Sequence, residues 1–152
     1  MMVNPKREDM MQIEVGFPGG KRVDASFDGF VVRTDQPAPF GEGTAPTPFE
    51  LFLASLATCA GIYVLSFFQQ RDLPVDGLKL VQRVDRDPHT GMLSLIAMEI
   101  MLPVGFPEKY RDAVVRAAEQ CAVKKNLENP PRFSVVAVGA SSGVGEGTPS
   151  GV

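Results

Sequence analysis

The sequence predicts a single α+β domain, and three features of the chain lead to this fold class. Its 152 residues suit one domain of ordinary size. Short segments of alternating apolar residues come first, a long apolar helical segment follows them, and further strand and helix patterns complete the order. We expect residues 10–139 to form the domain, between a flexible N-terminus at 1–9 and a disordered, glycine- and serine-rich tail at 140–152.

The first third of the chain is predicted to form a three-stranded antiparallel sheet. Apolar residues alternate with other residues in three segments, at 11–17, 23–27 and 30–34. Pro18-Gly19-Gly20 separates the first two segments, and Asp28-Gly29 supplies the pair of positive φ angles that a tight two-residue turn requires. Two consecutive hairpins are therefore expected.

A long central helix is predicted to begin directly after an irregular loop. The loop, at 36–46, is rich in proline and glycine. Thr47 is a good N-cap residue, Pro48 fits the first helical position, and Glu50 is placed for a capping box. Helical character then continues to about Gln70.

The central helix is apolar on all sides, and this property bears on assembly. Residues 51–68 are eighteen positions without a charge, which is close to the length of a membrane span. We reject a span because predicted strands precede the helix, a polar stretch follows it, and flanking aromatic and basic anchors are missing at its start. Protein must then surround the helix. Since the chain has only one other sizeable helix, we expect a second copy to cover it in an obligate homodimer.

The rest of the domain is predicted to contain two longer strands, a second helix pair and a final strand. The two strands lie at 78–84 and 92–102. A helix follows whose apolar stripe ends at Cys121, and a short helical segment begins there and ends before Asn129-Pro130-Pro131. Alternating residues from Arg132 to Val138 are expected to form the last strand.

Composition and charge exclude several classes of function. A net charge of -3 gives no surface suited to phosphate backbones, so nucleic acid is not an expected partner. No apolar run follows a basic start in the first nine residues, so we expect a cytoplasmic protein. The single histidine, His89, lies in a turn-forming string and is interpreted as a solvated loop residue rather than a catalytic base. With no close cysteine pair, no metal site is expected.

The two cysteines are the candidate reactive groups. A free cysteine is usually a small buried hydrophobe, and burial of Cys59 in an apolar helix would raise its pKa, so reactivity requires a nearby cation. Lys124 and Lys125 follow Cys121 at helical spacing and could lower its pKa. The same lysines are equally well explained as a solvated helix face.

Two motifs around these cysteines resemble those of the OsmC and Ohr proteins. The string Pro-Phe-Glu-Leu-Phe-Leu-Ala-Ser-Leu-Ala-Thr-Cys at 48–59 resembles the central-helix signature of that family. Glu-Gln-Cys-Ala-Val-Lys-Lys-Asn-Leu at 119–127 resembles its second cysteine motif. The resemblance implies the OsmC-like fold, in which two chains intertwine and the cysteine pair lies near the dimer interface.

The resemblance also implies a thiol-dependent peroxidase that serves an antioxidant stress response. Cys59 would attack the O–O bond of an organic hydroperoxide or hydrogen peroxide and become a sulfenic acid, and Cys121 would resolve it to a disulfide. An external dithiol, on a lipoyl protein or thioredoxin, would restore both thiols. No cofactor is expected. The alternative is a noncatalytic dimer of the same fold that binds a small apolar ligand.

The resemblance further implies an activating arginine from the first hairpin, held by a glutamate at the start of the central helix. Arg22 is the candidate arginine, with Arg33 as a weaker substitute, although Arg22 can equally be a charged residue on an open strand face. The family glutamate aligns with Phe49, and Glu50 comes one residue later, which turns its side chain by about 100° on a helix. Glu50 is therefore either part of the activating pair or a capping residue.

Overall fold

The computed structural model describes residues 11–139, so the segments predicted as a flexible N-terminus and a disordered tail lie outside the described residues. The order of elements confirms the α+β class. The strands are β1 (Glu14–Gly19), β2 (Arg22–Phe27), β3 (Phe30–Thr34), β4 (Lys79–Arg86) and β5 (Leu93–Met101). The helices are α1 (Pro48–Gln69), a 3-10 turn (Glu108–Tyr110), α2 (Arg111–Ala118) and α3 (Ala122–Glu128).

The first sheet has the predicted order β1-β2-β3, with both pairs antiparallel. Asp28 and Gly29 have φ angles of 48° and 82°, as the tight turn between β2 and β3 requires. β1 continues through Pro18 to Gly19, with an irregular register after Gly16, because an edge strand tolerates a proline. The sheet makes at most marginal contact with the helices. Its large apolar side chains are exposed, among them Val15, Phe17, Phe30 and Val31.

A buried carboxylate organises the loop between β3 and α1. Asp35 is 1% exposed and accepts hydrogen bonds from the backbone N–H of Gln36 at 2.8 Å and of Thr44 at 3.0 Å. The Thr44 hydroxyl donates a third, at 2.7 Å. Gly41 is required here, because a Cβ at this position would lie 2.3 Å from the Gln36 carbonyl oxygen. The hydrogen bonds to Asp35 therefore fix the path of the loop that leads to the start of α1.

The predicted capping box begins α1. The Thr47 hydroxyl accepts from the backbone N–H of Glu50 at 3.2 Å, and the Glu50 carboxylate accepts from the backbone N–H of Thr47 at 2.7 Å. Two of the unpaired donors at the helix end are satisfied in this way, which fixes where α1 starts.

The core lies between the β4–β5 sheet and one face of α1 and α2. Val64, Phe68 and Val114 are its fully buried centre, and Phe106 stacks on Phe68 with a ring separation of 5.3 Å. β4 and β5 form an antiparallel pair whose intervening turn contains the exposed His89, as predicted.

The opposite face of α1 is left uncovered by the other described residues of the chain. Ile62 and Tyr63 are exposed there, and only 28% of the most apolar eighteen-residue window of α1 is buried. Among residues 11–139, α1 is the one helix that is long and apolar enough to cross a membrane by length and composition. The core helix of a soluble protein has the same two properties, so this finding alone is weak evidence for a span.

Two predicted elements differ from the structure. The stripe that ends at Cys121 does not lie on one helix, because the chain breaks after α2 and Cys121 is the N-cap of α3. The predicted final strand, 132–138, has no regular secondary structure in the described chain. A strand needs a hydrogen-bonded partner, and β1 to β5 pair only within their own two sheets. The apolar side chains of this segment are exposed, with Phe133 at 82% and Val135 at 93%.

Candidate functional site

The fold brings the two cysteines together, although 62 positions separate them in the sequence. Cys59 lies in α1 and is half-buried, while Cys121 caps α3 and is 1% exposed. Both are free thiols, and the Cys121 thiol donates to the carbonyl oxygen of Leu56 at 3.8 Å. Cys121 is also near enough to Cys59 to affect the pKa of the Cys59 thiol. An ionised Cys59 would be a stronger acceptor than the Leu56 carbonyl oxygen, because charge strengthens a hydrogen bond.

The environment of Cys59 favours its thiolate. Burial raises the pKa of Cys59, but hydrogen bonds from the Val123 backbone N–H, the Cys121 thiol and the Ala122 backbone N–H outweigh burial and hold the pKa below its ordinary value. The first turn of α3 thus supplies two donors that have no partner within the helix. A cation was expected to lower the pKa of Cys59, but neutral hydrogen-bond donors lower it in this structure.

Cys121 has the opposite tendency. Burial raises its pKa, and proximity to the Cys59 sulfur raises it further, against the opposing hydrogen bond that the Lys124 backbone N–H donates at 3.4 Å. Of the two interpretations of Lys124 and Lys125, a lowered pKa of Cys121 is not what the structure gives. The Lys124 ammonium lies 3.6 Å from the Glu128 carboxylate, and the Lys125 ammonium donates to the Gln120 side chain at 2.8 Å. These lysines form a solvated helix face.

Neither member of the expected activating pair contacts Cys59 within one chain. Arg22 is exposed, and its Nε donates to the carbonyl oxygen of Gly19 in its own hairpin at 3.3 Å. Glu50 is occupied by the capping box with Thr47. Arg33, the weaker substitute, lies on β3 in the same outlying sheet.

Two features of the site were not found from the sequence. One is the pair of backbone donors at Ala122 and Val123, which no side-chain pattern can indicate. The other is an ion pair on the flank of the site, where Arg111 donates to both oxygens of the Glu108 carboxylate at 2.7 and 2.9 Å. The pair holds the pKa of Glu108 below its usual range. The sequence signal for this ion pair was the spacing of three residues between Glu108 and Arg111 at the start of a helix.

The described part of the chain, 11–139, contains no group of three or more histidine, cysteine, aspartate or glutamate side chains that could hold a metal ion. The arrangement that it does contain is a thiol with lowered pKa beside a protonated thiol. Such a pair is the arrangement from which a disulfide can form, because a thiolate and a neighbouring thiol are brought to one place by α1 and the start of α3.

Comparison with known proteins agrees with this architecture. The family model described as OsmC-like protein matches residues 41–136, which is more than half of the chain and includes both cysteines. A search of curated protein sequences gives no match.

Solved structures show the same fold at low sequence identity. An osmotic stress induced and detoxification response protein from Psychrobacter arcticus has a TM-score of 0.66 at 20% identity, covering 78% of this chain and 89% of its own. The organic hydroperoxide resistance protein OsmC from Legionella pneumophila has a TM-score of 0.53 at 20% identity, covering 79% and 90%. An organic hydroperoxide resistance protein from Vibrio cholerae, with captopril in one of its active sites, has a TM-score of 0.54 at 18% identity, covering 82% and 89%. From the match of the family model, this chain belongs to the OsmC-like protein family.

Proposed function

We propose that the protein is a thiol-dependent peroxidase in which Cys59 is the attacking residue and Cys121 the resolving residue. The Cys59 thiolate attacks one oxygen of the peroxide, the O–O bond breaks, and the other oxygen leaves as an alcohol or water after taking a proton. Cys59 is then a sulfenic acid. The Cys121 sulfur attacks the Cys59 sulfur, a disulfide forms, and the hydroxyl group leaves with the thiol proton as water. An external dithiol reduces the disulfide.

The observation that carries this proposal is that the fold brings together two cysteines of unequal acidity, one in α1 and one at the start of α3. Cys59 has a lowered pKa, as an attacking thiol needs, and the neighbouring Cys121 has a raised pKa and keeps its proton. Membership of the OsmC-like family, and the hydroperoxide resistance names of two structural neighbours, support the same chemistry.

We further propose that the active protein is an intertwined homodimer. The first sheet leaves large apolar side chains exposed, and so do one face of α1 and the segment 132–138. A monomer rarely exposes so many apolar groups, and a second copy can cover all three. Arg22 can act on Cys59 only from such a second copy, because its own hairpin lies apart from α1. Glu50 could contact Arg22 of the second copy only if its carboxylate gave up the capping-box hydrogen bond with Thr47.

We also propose a cytoplasmic location, because a reducing compartment would keep both cysteines reduced between turnovers.

The test is oxidation of the reduced protein by cumene hydroperoxide, followed by a count of free thiols. Wild-type protein should lose two thiols per chain, and a Cys59→Ser variant should lose none at the same peroxide concentration. Cys121→Ser is the matched control, since Cys59 should still be oxidised and its sulfenic acid should be trapped by dimedone. Unchanged thiols in folded wild-type protein would refute the peroxidase.

A second candidate function is binding of a small apolar ligand without catalysis. A mostly apolar cavity of about 420 Å³ between α1, β5 and α2 favours it. Unchanged thiols after peroxide, together with saturable binding of an apolar fluorescent probe, would select this function over the first.

A further inference from the structure

The start of α3 depends on the two cysteines for its hydrogen-bond acceptors. The Cys121 sulfur is the N-cap acceptor and takes the backbone N–H of Lys124 at 3.4 Å. The backbone N–H groups of Ala122 and Val123 donate to the Cys59 sulfur and favour its thiolate. The first N–H groups of a helix have no partner within the helix, so these three donors rely on the two sulfurs. The thiolate adds to this support, because a negative charge stabilises a helix N-terminus.

The remaining support of α3 is weak. The helix has seven residues, and all of them are exposed except the half-buried Val123. Lys124 pairs with Glu128 at 3.6 Å, and Lys125 donates to Gln120 at 2.8 Å. Both contacts are exposed and contribute little to stability. Because a helix of this length is marginal by itself, its N-terminal acceptors supply a large share of its stability.

The same helix forms one side of the apolar cavity of about 420 Å³. Lys124 and Leu127 of α3 and its cap residue Cys121 lie on the wall, together with side chains of α1, β5 and α2. Loosening of the first turn of α3 would displace these three side chains. The order of α3 therefore decides whether this side of the cavity is closed.

Oxidation of the cysteine pair removes the support that α3 receives. Both sulfurs of a Cys59–Cys121 disulfide are neutral, so the negative charge beside the N–H groups of Ala122 and Val123 is lost. Hydrogen bonds to a neutral acceptor are also weaker than those to a charged one. The new bond fixes the direction of the Cys121 sulfur, which the Lys124 N–H no longer shares with a free thiol.

We propose that α3 is a redox-sensitive gate of the cavity. The reduced pair holds the first turn of α3 and closes that side of the cavity, whereas the Cys59–Cys121 disulfide releases this turn and opens it. The inference takes the cysteine pair from the proposed function, but it requires only that a two-electron oxidant forms the disulfide. Diamide, an azo compound, is such an oxidant. It accepts two electrons and two protons from the thiols and becomes a hydrazine while the S–S bond forms.

The experiment compares α3 in the reduced and the diamide-oxidised protein by hydrogen exchange and by limited trypsin cleavage. Amide exchange in α3 should be about fivefold faster after oxidation, which is the effect of losing a typical N-cap. Trypsin cleavage after Lys124 and Lys125 should accelerate by a similar factor, because cleavage requires local opening. Exchange in α2 and cleavage after Arg116 within it are the internal control and should not change.

Two substitutions separate the cap from the disulfide. Cys121→Ala removes the N-cap acceptor and should give fast exchange in α3 before any oxidation. Cys121→Ser is the matched control, since it keeps an acceptor at the cap but cannot form the disulfide. In this variant α3 should stay protected with and without diamide. If Cys121→Ala does not fold, the comparison of wild type with Cys121→Ser still decides the matter.

Equal exchange and equal cleavage in α3 of the reduced and the oxidised wild type would overturn the inference. Faster exchange after diamide in Cys121→Ser would overturn it as well, and so would a wild-type protein in which diamide forms no Cys59–Cys121 disulfide. Failure of the proposed peroxidase appears separately, as thiols that remain unchanged after cumene hydroperoxide although diamide oxidises them.

Discussion

The unequal acidity of the two thiols arises from hydrogen-bond donors around Cys59. One of these donors is the Cys121 thiol, and the others are the backbone N–H groups of Val123 and Ala122. Removal of the thiol donor in a Cys121→Ala variant should raise the pKa of Cys59, while the backbone donors keep part of the effect. Cys121→Ser retains a hydroxyl donor and should leave the pKa of Cys59 closer to its wild-type value.

The measurement is the pH dependence of Cys59 alkylation by iodoacetamide, resolved by mass spectrometry. The midpoint should move to higher pH in Cys121→Ala than in Cys121→Ser. Equal midpoints in wild type and both variants would show that Cys121 contributes nothing to the acidity of Cys59.

Asp35 is a second residue whose ionisation is tied to the fold. The backbone N–H and hydroxyl of Thr44 and the backbone N–H of Gln36 donate to its carboxylate and lower its pKa, against the opposing effect of burial. A folded-state pKa below that of the unfolded chain stabilises the protein above the unfolded value, and this stabilisation is lost as pH falls through the folded value.

Asp35→Asn should therefore lower the urea midpoint at pH 7. The difference from wild type should shrink in acid, below the ordinary carboxyl pKa of about 4. Asp112→Asn is a control at an exposed position. A midpoint difference for Asp35→Asn that stays constant between pH 7 and pH 3 would contradict the assigned role of the carboxylate.

At the scale of elements, substitutions at the start of α1 can distinguish a capping role of Glu50 from a catalytic role. Thr47→Ala removes the N-cap hydroxyl and should lower the free energy of unfolding by about 1 kcal/mol. Glu50→Gln keeps an acceptor at the capping-box position and should change it by less than about 0.5 kcal/mol. Urea unfolding checks both values. If Glu50 serves only as a capping residue, Glu50→Gln should also retain the rate at which peroxide oxidises Cys59. A large loss of this rate in a variant of normal stability would show that Glu50 belongs to the activating pair.

Elements whose hydrogen bonds are local could be predicted from the sequence. Asp28-Gly29 specifies its turn through backbone conformation alone, and Thr47 with Glu50 specifies a helix start within four residues. The proximity of Cys59 and Cys121 was expected from the family motifs, since no local pattern relates positions so far apart. The helix pair was predicted, but Cys121 was placed on the first helix of the pair, because it continues the apolar stripe of α2 while its sulfur caps α3 by accepting from the Lys124 backbone N–H. The segment 132–138 has a strand pattern, but the described chain offers it no partner.

At the scale of the whole molecule, two parts of one chain are joined by little more than the loop at 35–46. Among residues 11–139, the first sheet shares no hydrophobic core with the other elements, and one apolar face of α1 is exposed. The exposed apolar face of the first sheet and that of α1 are complementary, because a sheet face and a helix face stabilise each other when they pack. The two faces do not pack on each other within the described chain, and the proposed homodimer would bring each of them its complement from the second copy. The isolated chain should then be less stable than the assembled protein, and its stability should depend on concentration.

Ile62, which is 52% exposed on the open face of α1, provides the test of this assembly. Ile62→Lys would bury a charge in the interface, a change that costs several kcal/mol without a partner, so the dimer should dissociate. Val104→Lys, at a fully exposed position in the loop after β5, is the control and should leave the assembly intact. Sedimentation equilibrium of detergent-free protein should give twice the chain mass for wild type and the control, and the mass of one chain or an aggregate for Ile62→Lys. A wild-type protein that sediments as a monomer at micromolar concentration, with α1 still folded, would show that no second copy covers the helix and that Arg22 cannot reach Cys59.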